Sequence, residues 1–201
     1  MMVDTVVFDL GGVLIDWNPR HLYRRLFDDE AAMERFLAEV CSPAWNARQD
    51  AGRPWSEAVA ELVARFPAQA DLIAAYRERW TEMLGGAIEG TVDVLRELKA
   101  GGARLYALTN WSQETFPAAR ERFDFLADFA GIVVSGEEGL VKPDPLLYRR
   151  LIDRHALVPE RTLFIDDAPA NVAAAEALGM RGHRFEDARR LRAWLVGHGL
   201  L

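Results

Sequence analysis

From Thr91 to the C-terminus, amphipathic stretches and short apolar runs alternate, and that alternation leaves very few folds open to the chain. Apolar residues three and four apart predict helices over residues 92–100, 114–122, 146–155, 171–178 and 189–196. Gly101-Gly102 stops the first of these, and Gly179 stops the fourth. Between them, residues 104–108, 132–134, 162–165 and 182–185 read as strands, and residues 5–8 add one more at the start. A repeated βα unit joins parallel strands through helical crossovers. The expected fold class is therefore α/β: a Rossmann-like core with a mostly parallel sheet, helices on both faces, and a ligand beyond the carboxyl ends of the strands.

One stretch has a different character. Between about Trp17 and Leu84 nothing resembles a strand, and residues 20–27, 31–40, 56–66 and 68–84 carry helical periodicity. Pro19, Pro43, Pro54 and Pro67 mark the joints, Ser56 is placed to cap a helix, and Gly85-Gly86 returns the chain to the core. The domain reading is a core of residues 1–16 and 86–201 interrupted by an all-helical module of residues 17–85. Residues 45–52, with Trp45, Asn46, Asp50 and Gly52, read as a loop between helices that reaches over a substrate.

The residues that close each strand share a chemistry. The first strand ends in Asp9-Leu10-Gly11-Gly12, the second in Thr109-Asn110, the third is followed by Lys142-Pro143, and the fourth ends in Asp166-Asp167. Each has an ordinary account as a turn or a helix cap. Together they converge on one edge of one sheet. Two carboxylates about 4 Å apart repel by roughly 4 kcal/mol at an effective dielectric of 20, and Asp9 adds a third charge. Hard oxygen ligands without a Cys/His cluster describe a Mg²⁺ site. Lys142, Thr109 and the backbone N–H groups of Leu10 and Gly11 then hold phosphate oxygens, and Asp9 is placed to attack phosphorus. Trp17, just after the first motif, and Trp111, just after Asn110, are candidates to line the substrate cleft.

In the order FDLGGVL, LTN, KPD and FIDD, the chain resembles the haloacid dehalogenase superfamily of aspartate-nucleophile hydrolases, in the form whose helical cap follows the first motif. The likeness runs along essentially the whole chain. It implies Asp9 as nucleophile and metal ligand, Gly11 as a ligand through its carbonyl, and Asp166 with Asp167 on Mg²⁺. It implies Thr109 and Asn110 as phosphate binders and Lys142 as the charge that steadies Asp9 and phosphate. Asn171 either orients the acidic pair or caps its helix.

One position departs from that pattern. Family phosphatases mostly carry a second Asp two residues after the nucleophile, as general acid and base; here Gly11 stands there. Such help is worth about 10² to 10⁴ in rate. The expected activity is Mg²⁺-dependent hydrolysis of a small phosphorylated metabolite, a sugar phosphate among the options, with an acidic leaving group or a proton from the cap. Two alternatives stand beside it: a metal-free 2-haloacid dehalogenase using the same Asp9, and a weakly catalytic domain that binds a phosphorylated ligand.

A net charge of -7 without a basic cluster speaks against nucleic acid and anionic membranes as partners. Cys41, the one cysteine, fits a reducing compartment and reads as a small hydrophobe. No leader-like N-terminus or apolar run of spanning length is seen, so the expected location is cytoplasmic.

Overall fold

The computed structural model describes residues 3–201. Strand β1 (Thr5–Phe8) is buried along its whole length because it lies at the centre of a five-stranded parallel sheet. It pairs on one side with β4 (Arg104–Thr109) and on the other with β6 (Thr162–Asp166). Outside these lie β5 (Gly131–Val134) and β7 (Arg181–Arg184), giving the order β5-β4-β1-β6-β7. In register, Val7 sits opposite both Tyr106 and Phe164. Val6 and Phe8 pack into the larger hydrophobic cluster and Val7 into the smaller one, as the two-residue period of a strand buried on both faces requires.

The crossovers are α6 (Glu89–Ala100), α7 (Phe116–Arg122), α8 (Ser135–Glu138), α9 (Pro145–His155) and α10 (Pro169–Ala177), and α11 (Ala188–Gly197) follows the last strand. The α/β class read from the sequence is the class observed. All five core strands lie within a residue or two of their expected positions.

The intervening segment holds α1 (Arg20–Tyr23), α2 (Glu30–Glu39), α3 (Pro43–Asp50), α4 (Trp55–Arg65) and α5 (Ala70–Glu78). It differs from the sequence reading in several ways, a first helix that ends at Tyr23 and not at residue 27 among them. Its ends are not helical: β2 (Ile15–Trp17) and β3 (Leu84–Ala87) form an antiparallel ribbon, so the segment leaves and re-enters the core through paired strands. Gly85-Gly86 lies inside β3, a strand that residue preference does not announce and that pairing alone supports. The helix expected over 68–84 is three pieces, with α5 flanked by 3₁₀ turns at Pro67–Gln69 and Trp80–Met83. Ser56 does not cap α4, which starts at Trp55 after Pro54.

The last difference bears on function. Residues 45–50 of the expected loop belong to α3, started by the Ser42 hydroxyl, which accepts from the Trp45 N–H at 3.2 Å, with Pro43 in the first turn. Asp50, at the end of that helix, is thereby carried on a rigid element. Cys41 is buried, and burial pushes its thiol up to about 12, in keeping with a packing role. Among the described residues no helix is long and apolar enough to cross a membrane.

Candidate active site at the carboxyl edge of the sheet

Asp9 follows the last residue of β1 and Asp166 is the last residue of β6, the adjacent strand, so parallel pairing alone brings the two acids side by side. Lys142 reaches them from the loop before α9. Its ammonium lies 2.8 Å from Asp9 Oδ1 and 2.7 Å from Asp166 Oδ2, and all three side chains are almost wholly buried. Asp167, next in the chain, is more exposed. One oxygen of each of Asp9, Asp166 and Asp167 lies within 4.8 Å of the others.

Each group is held by neighbours. Asn171 donates from Nδ2 to both oxygens of Asp166, at 2.9 and 3.1 Å, and the Ala168 N–H donates to Oδ1 at 2.9 Å. Asn171 thus orients the acid rather than capping its own helix. Asn110 bonds the Lys142 backbone in both directions, accepting its N–H at 2.8 Å and donating to its carbonyl at 3.1 Å. It fixes the lysine loop while lining the cleft above. Thr109, at the end of β4, is buried at the same edge.

The turn after Asp9 is narrower as an anion cradle than the glycines suggest. The Leu10 N–H is spent on Asp9 Oδ1 at 2.7 Å, with the Leu10 side chain in the core, and the Gly12 N–H on the Ile15 carbonyl at 2.9 Å. Gly12 is required here twice over. It has φ +77, and a Cβ on it would come within 2.7 Å of an Asp167 oxygen. At Gly11 a Cβ would meet nothing within 4 Å.

The electrostatics of these groups favour a cation. Burial raises the Asp9 carboxyl to about 7, with Lys142 pulling it down and Asp166 pushing it up. Burial acts against the Lys142 ammonium too, but Asp9 and Asp166 more than reverse this and raise it. Asp167 is raised by burial and by Asp166. Three carboxylates against one ammonium leave a formal excess of two negative charges. An all-oxygen donor set with that excess fits a hard divalent ion.

Above this edge the helical segment closes a cleft of about 60 Å³, into which Gly11 opens. The rings of Trp17, Trp80 and Trp111 line it together with Asn46, Asp50 and Asn110. The indole N–H groups of Trp17 and Trp111 have no acceptor among the described residues, nor has Asn46 Oδ1 a donor. A second cavity of about 430 Å³ shares Trp17 and Asn46 with the first and runs on past Leu37, Cys41 and Tyr76.

Two serines join segment to sheet. Ser135, just after β5, accepts the Trp111 N–H at 2.9 Å and donates to the Asp50 carbonyl at 2.6 Å. Ser112 accepts from Trp55 Nε1 at 2.9 Å. Sequence reasoning passed over both, since a serine at a strand end or in a turn looks like any other. Trp80 was likewise passed over, and Asp50 stood only as one member of a loop.

Asp50 carries a cost. Burial raises its carboxyl to about 7, and the Ser112 backbone N–H eases this. Because the folded state holds this proton more tightly than the unfolded chain does, the group's contribution is fully present below pH 4 and is lost as pH rises through about 7. The penalty above pH 7 is at most about 4 kcal/mol. Asp50→Asn removes it, so thermal melts should show the variant gaining on the native chain between pH 5 and pH 8. A gap that does not widen with pH counts against a buried, uncompensated carboxyl.

A family model described as haloacid dehalogenase-like hydrolase matches residues 3–179. The sesquiterpene phosphatase astK of Aspergillus oryzae is 30% identical over 181 residues, spanning 90% of this chain and 89% of that protein. A HAD family enzyme of Bacteroides thetaiotaomicron, solved in complex with magnesium and inorganic phosphate, superposes with a TM-score of 0.70 at 21% identity, over 92% of this chain and 95% of the other. The L-2-haloacid dehalogenase of Xanthobacter autotrophicus superposes with a TM-score of 0.67 at 18% identity, over 100% and 85% of the two chains.

Proposed function

We propose that this chain, which belongs to the haloacid dehalogenase-like hydrolase family, is a Mg²⁺-dependent phosphatase that cleaves small phosphate monoesters through an aspartyl-phosphate on Asp9, with residues 17–85 as its cap. The observation that carries this reading is the buried Lys142 ammonium shared between Asp9 and Asp166, with Asp167 beside them.

The chemistry follows from those placements. Asp9 attacks phosphorus through the oxygen not held by Lys142 and the Leu10 N–H, which fix the other one. Lys142 stays charged at all working pH values and lies where negative charge builds on the transferring group. Asp166 is too enclosed, between Asn171, Ala168 and Lys142, to serve as a nucleophile, and acts instead to hold the lysine and the ion. Asp9, the Gly11 carbonyl, Asp166 and Asp167 would hold Mg²⁺, which supplies charge neutralisation at the phosphoryl oxygens. The indole-lined cleft receives the organic part of the ester and keeps water away.

A metal-free dehalogenase has no use for the Asp166-Asp167 pair, which is the reason to prefer phosphate over a haloacid. The test is a panel of sugar phosphates, p-nitrophenyl phosphate and a sesquiterpenyl phosphate, run with Mg²⁺ and with a chelator, beside 2-chloropropionate. The sesquiterpenyl ester belongs there because of astK and because the second cavity offers room past Trp17. Expected is phosphate release that falls at least 100-fold on chelation. Chloride release that ignores the chelator would replace this reading with the dehalogenase one.

A further inference from the structure

Ester cleavage at Asp9 leaves one proton unassigned. An alkoxide departs poorly at neutral pH unless it is protonated as it leaves, and Asp9 has no proton to give while it acts as nucleophile. Position 11 has no side chain, and the space where one would begin is open. Facing that opening, Asp50 is the one titratable side chain among the residues that line the cleft.

Its setting differs from that of the other acids. Asp9 and Asp166 each touch an ammonium, whereas the Asp50 carboxylate takes a hydrogen bond from the neutral Asn46 amide, at 2.9 Å, and forms no ion pair among the described residues. Tyr76 also neighbours it, as a phenol that burial keeps protonated. Its backbone is pinned where segment and sheet meet. The Ser135 hydroxyl holds the Asp50 carbonyl, and two residues on, Gly52 lies so close to the sheet that a Cβ would come within 2.9 Å of the Gly136 carbonyl. The carboxyl is thus largely desolvated, without a cationic partner among the described residues, and held on the wall of the cleft into which Gly11 opens.

Resting on the phosphatase reading above, we infer that Asp50 is the general acid and base of this enzyme, supplied from the helical segment in place of an acid at position 11. In the first step Asp9 forms a bond to phosphorus, the bond from phosphorus to the ester oxygen breaks, and the Asp50 proton passes to that oxygen, releasing a neutral alcohol. In the second step the Asp50 carboxylate takes a proton from water, and the oxygen of that water bonds to phosphorus. The bond from phosphorus to Asp9 then breaks, phosphate leaves, and both residues return to their starting states. Burial favours the protonated form in which Asp50 must begin.

The test separates proton donation from mere positioning by varying the leaving group. Asp50→Asn should lower kcat/KM for alkyl phosphates by about 10² to 10⁴. The same variant should lose less than about tenfold in kcat/KM on 2,4-dinitrophenyl phosphate, whose phenolate departs without a proton, read as first-turnover release of dinitrophenolate ahead of the slowed attack by water. That retained release also reports a folded site. Adding Gly11→Asp to the variant should return part of the alkyl phosphate activity, since the open space accepts the side chain. Equal losses on both ester types, in a variant that melts cooperatively and at least as high as the native chain, would reduce Asp50 to a positioning residue and overturn the inference. A native enzyme active on alkyl esters and indistinguishable from Asp50→Asn would do the same while leaving the phosphatase reading intact. A native enzyme inert towards every ester would overturn both.

Discussion

Asp9→Asn should abolish turnover, by at least about 10⁴-fold on every substrate the native chain accepts, while leaving the fold intact. The amide is nearly the size of the carboxylate and keeps an oxygen for the Leu10 N–H, but it is no nucleophile. Stability should hold or rise, because burial already disfavours the charged form of Asp9. Phosphate release and a thermal melt on the same preparation check both halves. A variant that keeps a hundredth of the native rate would place the nucleophile elsewhere.

Lys142→Met should be the most damaging single change to stability. The side chain is buried against two carboxylates, at 2.8 and 2.7 Å, and methionine leaves both without a counter-charge. Breaking a buried pair by removing one partner costs about 3 to 5 kcal/mol. The sign of the pH dependence follows: unpaired buried carboxylates bind protons more tightly in the folded state, so the deficit is largest above neutral pH and shrinks as pH falls. Turnover should drop by about 10² to 10³ from the lost charge at the phosphoryl group. Urea titrations at pH 8 and pH 5.5 in metal-free buffer read the first effect. Adding Mg²⁺ should restore part of the stability and little of the rate. A melting point unchanged by the substitution at pH 8 would mean the ammonium is not what holds the acids together.

The core was legible because its signals are local. A central strand buried on both faces must be a continuous apolar run, and its end must be polar, so Thr5–Phe8 followed by Asp9 declares both element and site. Crossover periodicity then puts Thr109, Lys142 and Asp166 at the same edge. The helical segment was less legible because its local signals are weak or conflicting. In α3 only Trp45 and Gln49 are buried, too few to show a helical period in a short polar run, although Ser42-Pro43 is a fair start signal in retrospect. β3 is half glycine and exists through its partner. Ser135, Ser112 and Asp50 gain their roles from contacts between residues far apart in sequence, and burial of one acid among three indoles is a property that no single stretch of chain encodes.

The ribbon of β2 and β3 has a consequence for descent. Departure and return of the helical segment lie side by side, so to the sheet everything between Trp17 and Leu84 is topologically one long hairpin loop. Another sequence able to meet the same two rungs can replace it while the register of the parallel strands stays as it is. Selectivity for the organic group, and the proton that lets it go, can then be inherited apart from the acid that does the attacking.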